Sequence, residues 1–92
     1  MSDQPAEPAL VALADILDLV AARPLAGELS SLRGRPVRLD ASRVERVGAL
    51  CLQVLLSARL TWAADGAPLT IAGASPAFEE QVARLGAAAF AS

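Results

Sequence analysis

The side chains in this chain that could do chemistry are few, and most gather in one stretch. Asp40, Glu45 and Arg46 supply charge there, Ser42 a hydroxyl and Cys51 a thiol, with Asp18 as the one outlier. The chain has no His, which removes the Ser-His-Asp arrangement and imidazole acid/base work and leaves carboxylates, Arg and Ser as actors. With a single Cys as well, one copy cannot assemble the usual zinc or non-haem iron ligand sets, so neither a metal nor a cofactor is expected. A hydrolytic use of Asp18, Asp40 or Glu45 remains conceivable and requires two carboxylates facing one cleft.

The totals narrow the classes further. A length of 92 residues implies one domain with one modest core, expected over residues 9–92 behind a disordered lead, residues 1–8. That lead is acidic and lacks the positive region of a secretory signal. Hydrophobic residues make up 54% and aromatic ones 3%, a composition that favours tight Leu, Val and Ala packing over a roomy small-molecule pocket. Net charge is −2, and the 8 basic residues are all Arg, scattered along the chain; a nucleic-acid surface would show a basic stripe instead. No run reaches the roughly 18 uninterrupted apolar residues that span a bilayer. No membrane insertion and a soluble, cytoplasmic location are therefore expected, with which the unpaired thiol is compatible.

The positioning elements follow from pattern. Ala9 to Leu19 holds two short apolar runs parted by Ala14-Asp15, read as two brief strands; a single helix is the competing reading, disfavoured because Asp15 and Asp18 would interrupt its buried face. A helix is predicted from about Pro24, which suits a first helical position, with Leu25, Leu29 and Leu32 at i, i+4 and i+7 and Gly34 as a left-handed cap before Pro36. Val37 and Leu39 alternate with Arg38 and Asp40 as in a strand. Asp40 to Gly48 reads as loop, and Ala49 to Ala64 as a helix of roughly 24 Å closed by Asp65-Gly66. Gln53, Ser57 and Thr61 form its narrow polar strip; nearly all else on it is apolar or small. A strand over Pro68 to Ala72 and a last helix capped by Ser75, with Phe78, Val82 and Leu85 buried and Gly86 ending it, complete the order. The fold class is α/β, with a mainly parallel four-stranded sheet in the order β-β-α-β-α-β-α and the first strand free to run antiparallel at an edge.

Asp40-Ala41-Ser42-Arg43-Val44-Glu45-Arg46-Val47, read as D-x-S-x-V-x-x-V ahead of the central helix, resembles the corresponding stretch of STAS domains, the small α/β modules of anti-sigma factor antagonists. Ile16-Leu17-Asp18-Leu19 is similar to the family's early strand, and Gly66 to Pro76 to its closing segment, so the resemblance covers most of residues 9–86. It implies a non-enzymatic adaptor that docks on a protein. In the anti-sigma antagonists an Asp-Ser pair follows the loop, and a partner kinase phosphorylates that Ser. This chain has Gly48-Ala49 there and Cys51 where Gly is usual, so no phosphorylation is expected at Gly48-Ala49. More narrowly, Leu50 to Ala58 resembles short STAS proteins encoded among chemotaxis genes of alphaproteobacteria, which implies a histidine kinase or related ATP-binding protein as partner. The STAS subunit of the bacterial phospholipid-trafficking ABC transporter, which binds its ATPase, is a second relative. Homodimerisation stays open.

On this reading the partner-binding residues are Ser42, Glu45, Arg46, Gly48, Ala49, Cys51 and Leu52. Each has a plainer account beside it. Ser42 is a candidate substitute phosphoacceptor, yet Ser and Asp commonly satisfy N–H groups within loops. Glu45 and Arg46 are either solvated loop charges or rim charges that set partner choice. Cys51, near a helix start, is either a redox-sensitive thiol or a small buried hydrophobe. Gly48 is either a flat docking point or a tolerated N-cap. The excess apolar surface of the central helix is either core or contact, and Trp62 would anchor a partner if exposed.

Overall fold

The computed structural model describes residues 8–85; residues 1–7 of the lead expected over 1–8 and the helix end expected at Gly86 lie outside them. Five strands and three helices follow in the order β1 Ala9–Ala12, β2 Ile16–Leu17, α1 Leu19–Ser30, β3 Val37–Asp40, β4 Arg46–Val47, α2 Ala49–Asp65, β5 Leu69–Ala72 and α3 Pro76–Arg84. The α/β class with its parallel pairing holds, but the single four-stranded sheet is divided. Strands β1, β3 and β5 form a three-stranded sheet in the order β1-β3-β5, and β2 pairs with β4 as a separate ribbon. All of these pairings are parallel, so β1 occupies an edge without reversing direction.

The strand alternation sorts the sheet into two faces. Val11, Leu39 and Ile71 stand in register on the helix side, while Leu10, Arg38 and Thr70 stand in register and exposed on the other. Helix α2 packs between α1 and β5, and one core gathers Val11, Leu17, Leu39, Val44, Leu55 and Phe78.

Four further expectations need correction. Helix α1 begins at Leu19, before Pro24, because the Asp18 carboxylate accepts the N–H groups of Val20 and Ala21 at 3.1 and 3.2 Å and starts the helix there. Pro24 therefore lies inside the helix and leaves the carbonyl of Val20, four residues earlier, without its helical donor; Val20 is exposed to solvent. The helix ends at Ser30, ahead of Gly34, whose φ of 85° serves the following turn instead.

The stretch read wholly as loop contains β4. Its pairing with β2 is two residues long, Ile16 opposite Arg46 and Leu17 opposite Val47, too short to leave a periodicity. Leu85, assigned to the buried face of α3, is 45% exposed, whereas Phe78 and Val82 are buried as expected. Helix α2 closes on Gly66 at φ 74°, the left-handed position that favours glycine.

Candidate functional site

The loop between β3 and α2 is fixed by backbone bonds from every side. Asp40 Oδ1 accepts the Ser42 N–H at 3.0 Å, and the Ser42 side chain first and that N–H second hold the carboxyl below the usual carboxylate range. The Ala41 N–H donates to Ala72 and the Ser75 N–H to Ala41, tying the loop to the end of β5. The Ser75 hydroxyl donates to the Val44 carbonyl at 2.6 Å while accepting the Phe78 N–H at 3.0 Å, so the cap of α3 also clasps the loop. The N–H groups of Glu45 and Arg46 both reach the Asp15 carbonyl, and Gly48 donates to Leu17 at 2.7 Å.

The free side of β4 meets a side chain. Gln81 on α3 accepts the Val47 N–H through Oε1 at 2.7 Å and donates Nε2 to the Glu45 carbonyl at 2.9 Å. One amide thus satisfies a donor and an acceptor as a third strand would.

The seven residues assigned to partner binding divide by depth. Ser42, Glu45, Arg46 and Ala49 are exposed and Gly48 is half-buried, but Cys51 and Leu52 are buried in the core at 0% and 5% exposure. The Cys51 thiol donates to the Asp18 carbonyl at 3.2 Å, and burial, followed by the Asp18 charge, pushes its pKa up. A thiol so placed packs as a small hydrophobe, and the redox reading lapses. Trp62, 2% exposed, donates Nε1 to the Arg35 carbonyl at 2.6 Å and is likewise a core residue. Gly48 is explained by closeness: a Cβ there would stand 3.1 Å from the Leu17 carbonyl oxygen. Its φ of −92° is open to any residue.

Beside this loop α2 begins without help. Gly48 supplies no capping side chain, and no acidic residue stands in the first turn, so the initial N–H groups of the helix are left to solvent or a partner. Two residues that sequence reasoning passed over lie next to it. Leu19 and Val20, at the start of α1, are 71% and 80% exposed, and Asp18 before them approaches Gly48 closely. The signal was present in the capping Asp18 followed by good helix formers, but Pro24 drew the start of the helix away from it.

The carboxylates considered for hydrolysis, Asp18, Asp40 and Glu45, all lie outside the groove between α1 and α2. Asp18 is engaged by the start of α1 and Asp40 by Ser42, and the groove of about 320 Å³ between α1 and α2 is lined by no carboxylate. Arg43 reaches Asp15 only at 3.8 Å and in the open, where such pairs contribute little. Among the described residues no helix is long and apolar enough to cross a membrane.

A family model described as Mlab, STAS domain matches residues 1–90. The chain belongs to the STAS family. No curated protein and no solved structure matches it. STAS domains are generally binding and regulatory modules of the anti-sigma-antagonist type, and at the loop end and helix start this chain carries half-buried Gly48 and exposed Ala49, neither of which has a hydroxyl.

Proposed function

We propose that this STAS domain is a non-enzymatic, cytoplasmic adaptor that docks on a chemotaxis-type histidine kinase or related ATP-binding protein through Ser42, Glu45, Arg46, Gly48 and Ala49. The observation that carries this reading is a rigidly held, exposed loop ending in an uncapped helix start that has no hydroxyl to phosphorylate. Docking is then constitutive, and the partner supplies any regulation. Calorimetry with the cognate kinase tests it, using Arg46→Glu combined with Ala49→Trp; Gly48 is left intact because Leu17 crowds it. Loss of binding by the folded double variant is expected, and unchanged affinity overturns the surface.

A second reading, docking on the ATPase of a phospholipid-trafficking ABC transporter, draws support from the description of the matching family, Mlab, STAS domain. Flanking transporter genes would favour it, and flanking chemotaxis genes the first.

A further inference from the structure

Most of the large apolar side chains left exposed gather at one end of the domain. Ile16, Leu19, Val20 and Leu50 are 38%, 71%, 80% and 48% exposed. Each lies within two residues of Asp18 or Gly48, whose backbones touch: the Gly48 N–H donates to Leu17, and a Gly48 Cβ would sit 3.8 Å from the Asp18 Cα. They therefore cluster where the starts of α1 and α2 meet. Leu50 extends the cluster into the mouth of the groove between the two helices. Monomeric proteins seldom leave such side chains grouped without a partner.

The charges around the patch choose among occupants. Arg46 stands opposite Ile16 in the β2–β4 ribbon. Arg23 stands one turn along α1 from Leu19 and three residues from Val20. Both are exposed, and among the described residues no carboxylate pairs with either guanidinium, in contrast to Arg33 with Asp65 and Arg84 with Glu80. Of the neighbouring carboxylates, Asp18 is already engaged by the Val20 and Ala21 N–H groups and Asp15 lies 3.8 Å from Arg43, while Glu45 stands exposed beside Arg46. The uncapped first turn of α2 adds the positive end of a helix dipole.

We infer that this face, which extends the docking loop of the proposed function onto the start of α1, receives an acidic amphipathic helix of the partner protein: apolar side chains cover Leu19, Val20 and Leu50, and flanking carboxylates meet Arg23 and Arg46. It rests on the adaptor reading for its setting but names a chemistry that any partner must satisfy. Complementary charge at the rim sets encounter rate and partner choice, while the apolar centre supplies area.

The test titrates the full chain, followed by amide NMR, with a synthetic helix of about five turns that has Leu at i, i+3, i+4 and i+7 and Glu on the flanks. A second peptide replaces every Glu with Lys. The acidic peptide should move the resonances of Leu19, Val20, Ala49 and Leu50 and bind at least about tenfold more tightly than the basic one at low salt, with the gap closing as salt rises. Arg23→Glu with Arg46→Glu should reverse that preference, and Val20→Ser with Leu50→Ser should abolish binding of both. Equal response to the two peptides, or shifts elsewhere, overturns the inference. So do concentration-dependent shifts at these residues without peptide, which would assign the face to a second copy, or shifts produced only by anionic phosphatidylglycerol vesicles. A kinase that fails to bind while the acidic peptide binds as described removes the named partner and leaves this inference standing.

Discussion

Gln81 completes the hydrogen bonding of Val47: its Oε1 accepts the Val47 N–H at 2.7 Å while its Nε2 donates to the carbonyl of Glu45, two residues before. Through that one side chain the last helix fixes the outer edge of β4, and through Ser75 it fixes the loop one step earlier at Val44. The surface that carries Glu45, Arg46 and Ala49 is thus held from behind by α3, an element with no part in that surface. The proposed docking without a phosphorylation switch calls for a loop that keeps its shape unaided, and these bonds supply it.

Gln81→Ala should therefore weaken the domain beyond its lost packing. It leaves the Val47 N–H unpaired at a part-buried site, at a cost of about 1–3 kcal/mol, and returns the exposed Glu45 carbonyl to solvent. Chemical denaturation checks the magnitude, and amide exchange at Val47 should quicken more than at Leu55. Gln81→Glu keeps an acceptor for Val47 but sets a carboxylate against the Glu45 carbonyl, so it should be more stable at acid pH than at neutral pH relative to the parent. Equal exchange in parent and alanine variant would show that the amide does not clasp the strand.

How much of this was readable in advance depended on the range of the forces involved. The boundaries of α2 followed from its own residues, because Gly66 stops it locally and Gly48 precedes it. The β-strands β3 and β5 were visible in their alternation. By contrast β4 owes its existence to Asp15, Leu17 and Gln81, the last of which is 34 residues from Val47, and no local pattern encodes such a contact. The start of α1 failed for a different reason. Two local signals competed, a capping Asp18 and a Pro24 suited to a first position, and the cap prevailed because the one bond Pro24 removes falls at Val20, an exposed residue. At the site, burial was the unreadable quantity: Cys51 and Leu52 occupy the same helix start as Ala49 and Leu50 but face the opposite way.

Cys51 makes the alkaline behaviour unusually simple. The chain has no His and no Tyr, and all 8 of its basic residues are Arg, so this thiol is the side chain that titrates between neutrality and strong alkali. Burial raises its pKa, with Asp18 adding to the effect, which means that the folded state binds the proton more tightly than the unfolded one. The resulting stabilisation is complete below the unfolded thiol pKa of about 8.5 and is lost as pH rises through the higher folded value. Stability measured from pH 7 to pH 10.5 should fall accordingly, and Cys51→Ala should flatten that slope to the small contribution of the α-amino group. A slope that survives the substitution would place the titration elsewhere.

At the acid end the informative pair is Asp40 with Ser42. Because the side chain and N–H of Ser42 lower the Asp40 pKa, the carboxylate stabilises the fold above its unfolded pKa of about 3.9, and that contribution disappears as pH falls through the depressed folded value. Ser42→Ala removes the larger cause and leaves the N–H. The Asp40 carboxyl midpoint, followed by carbon NMR, should rise toward the ordinary range without returning to it. A midpoint that does not move would mean the Ser42 hydroxyl is free of Asp40, and incubation with a partner kinase should then be examined for phosphate on Ser42; no phosphate is expected at residues 48–50, where Gly48, Ala49 and Leu50 offer no hydroxyl.

Trp62 reports on the seam between α2 and the turn that follows α1. It is the single Trp of the chain, its ring is buried, and its Nε1 holds the Arg35 carbonyl at 2.6 Å. Native fluorescence should be blue-shifted and resistant to iodide, moving red on unfolding in one step with the loss of secondary structure. Trp62→Phe removes the donor and part of the ring, and a destabilisation of about 1–3 kcal/mol is expected. A native emission already at the solvent-exposed wavelength would instead put the ring on the surface, where it would serve as the partner anchor that its burial here denies it.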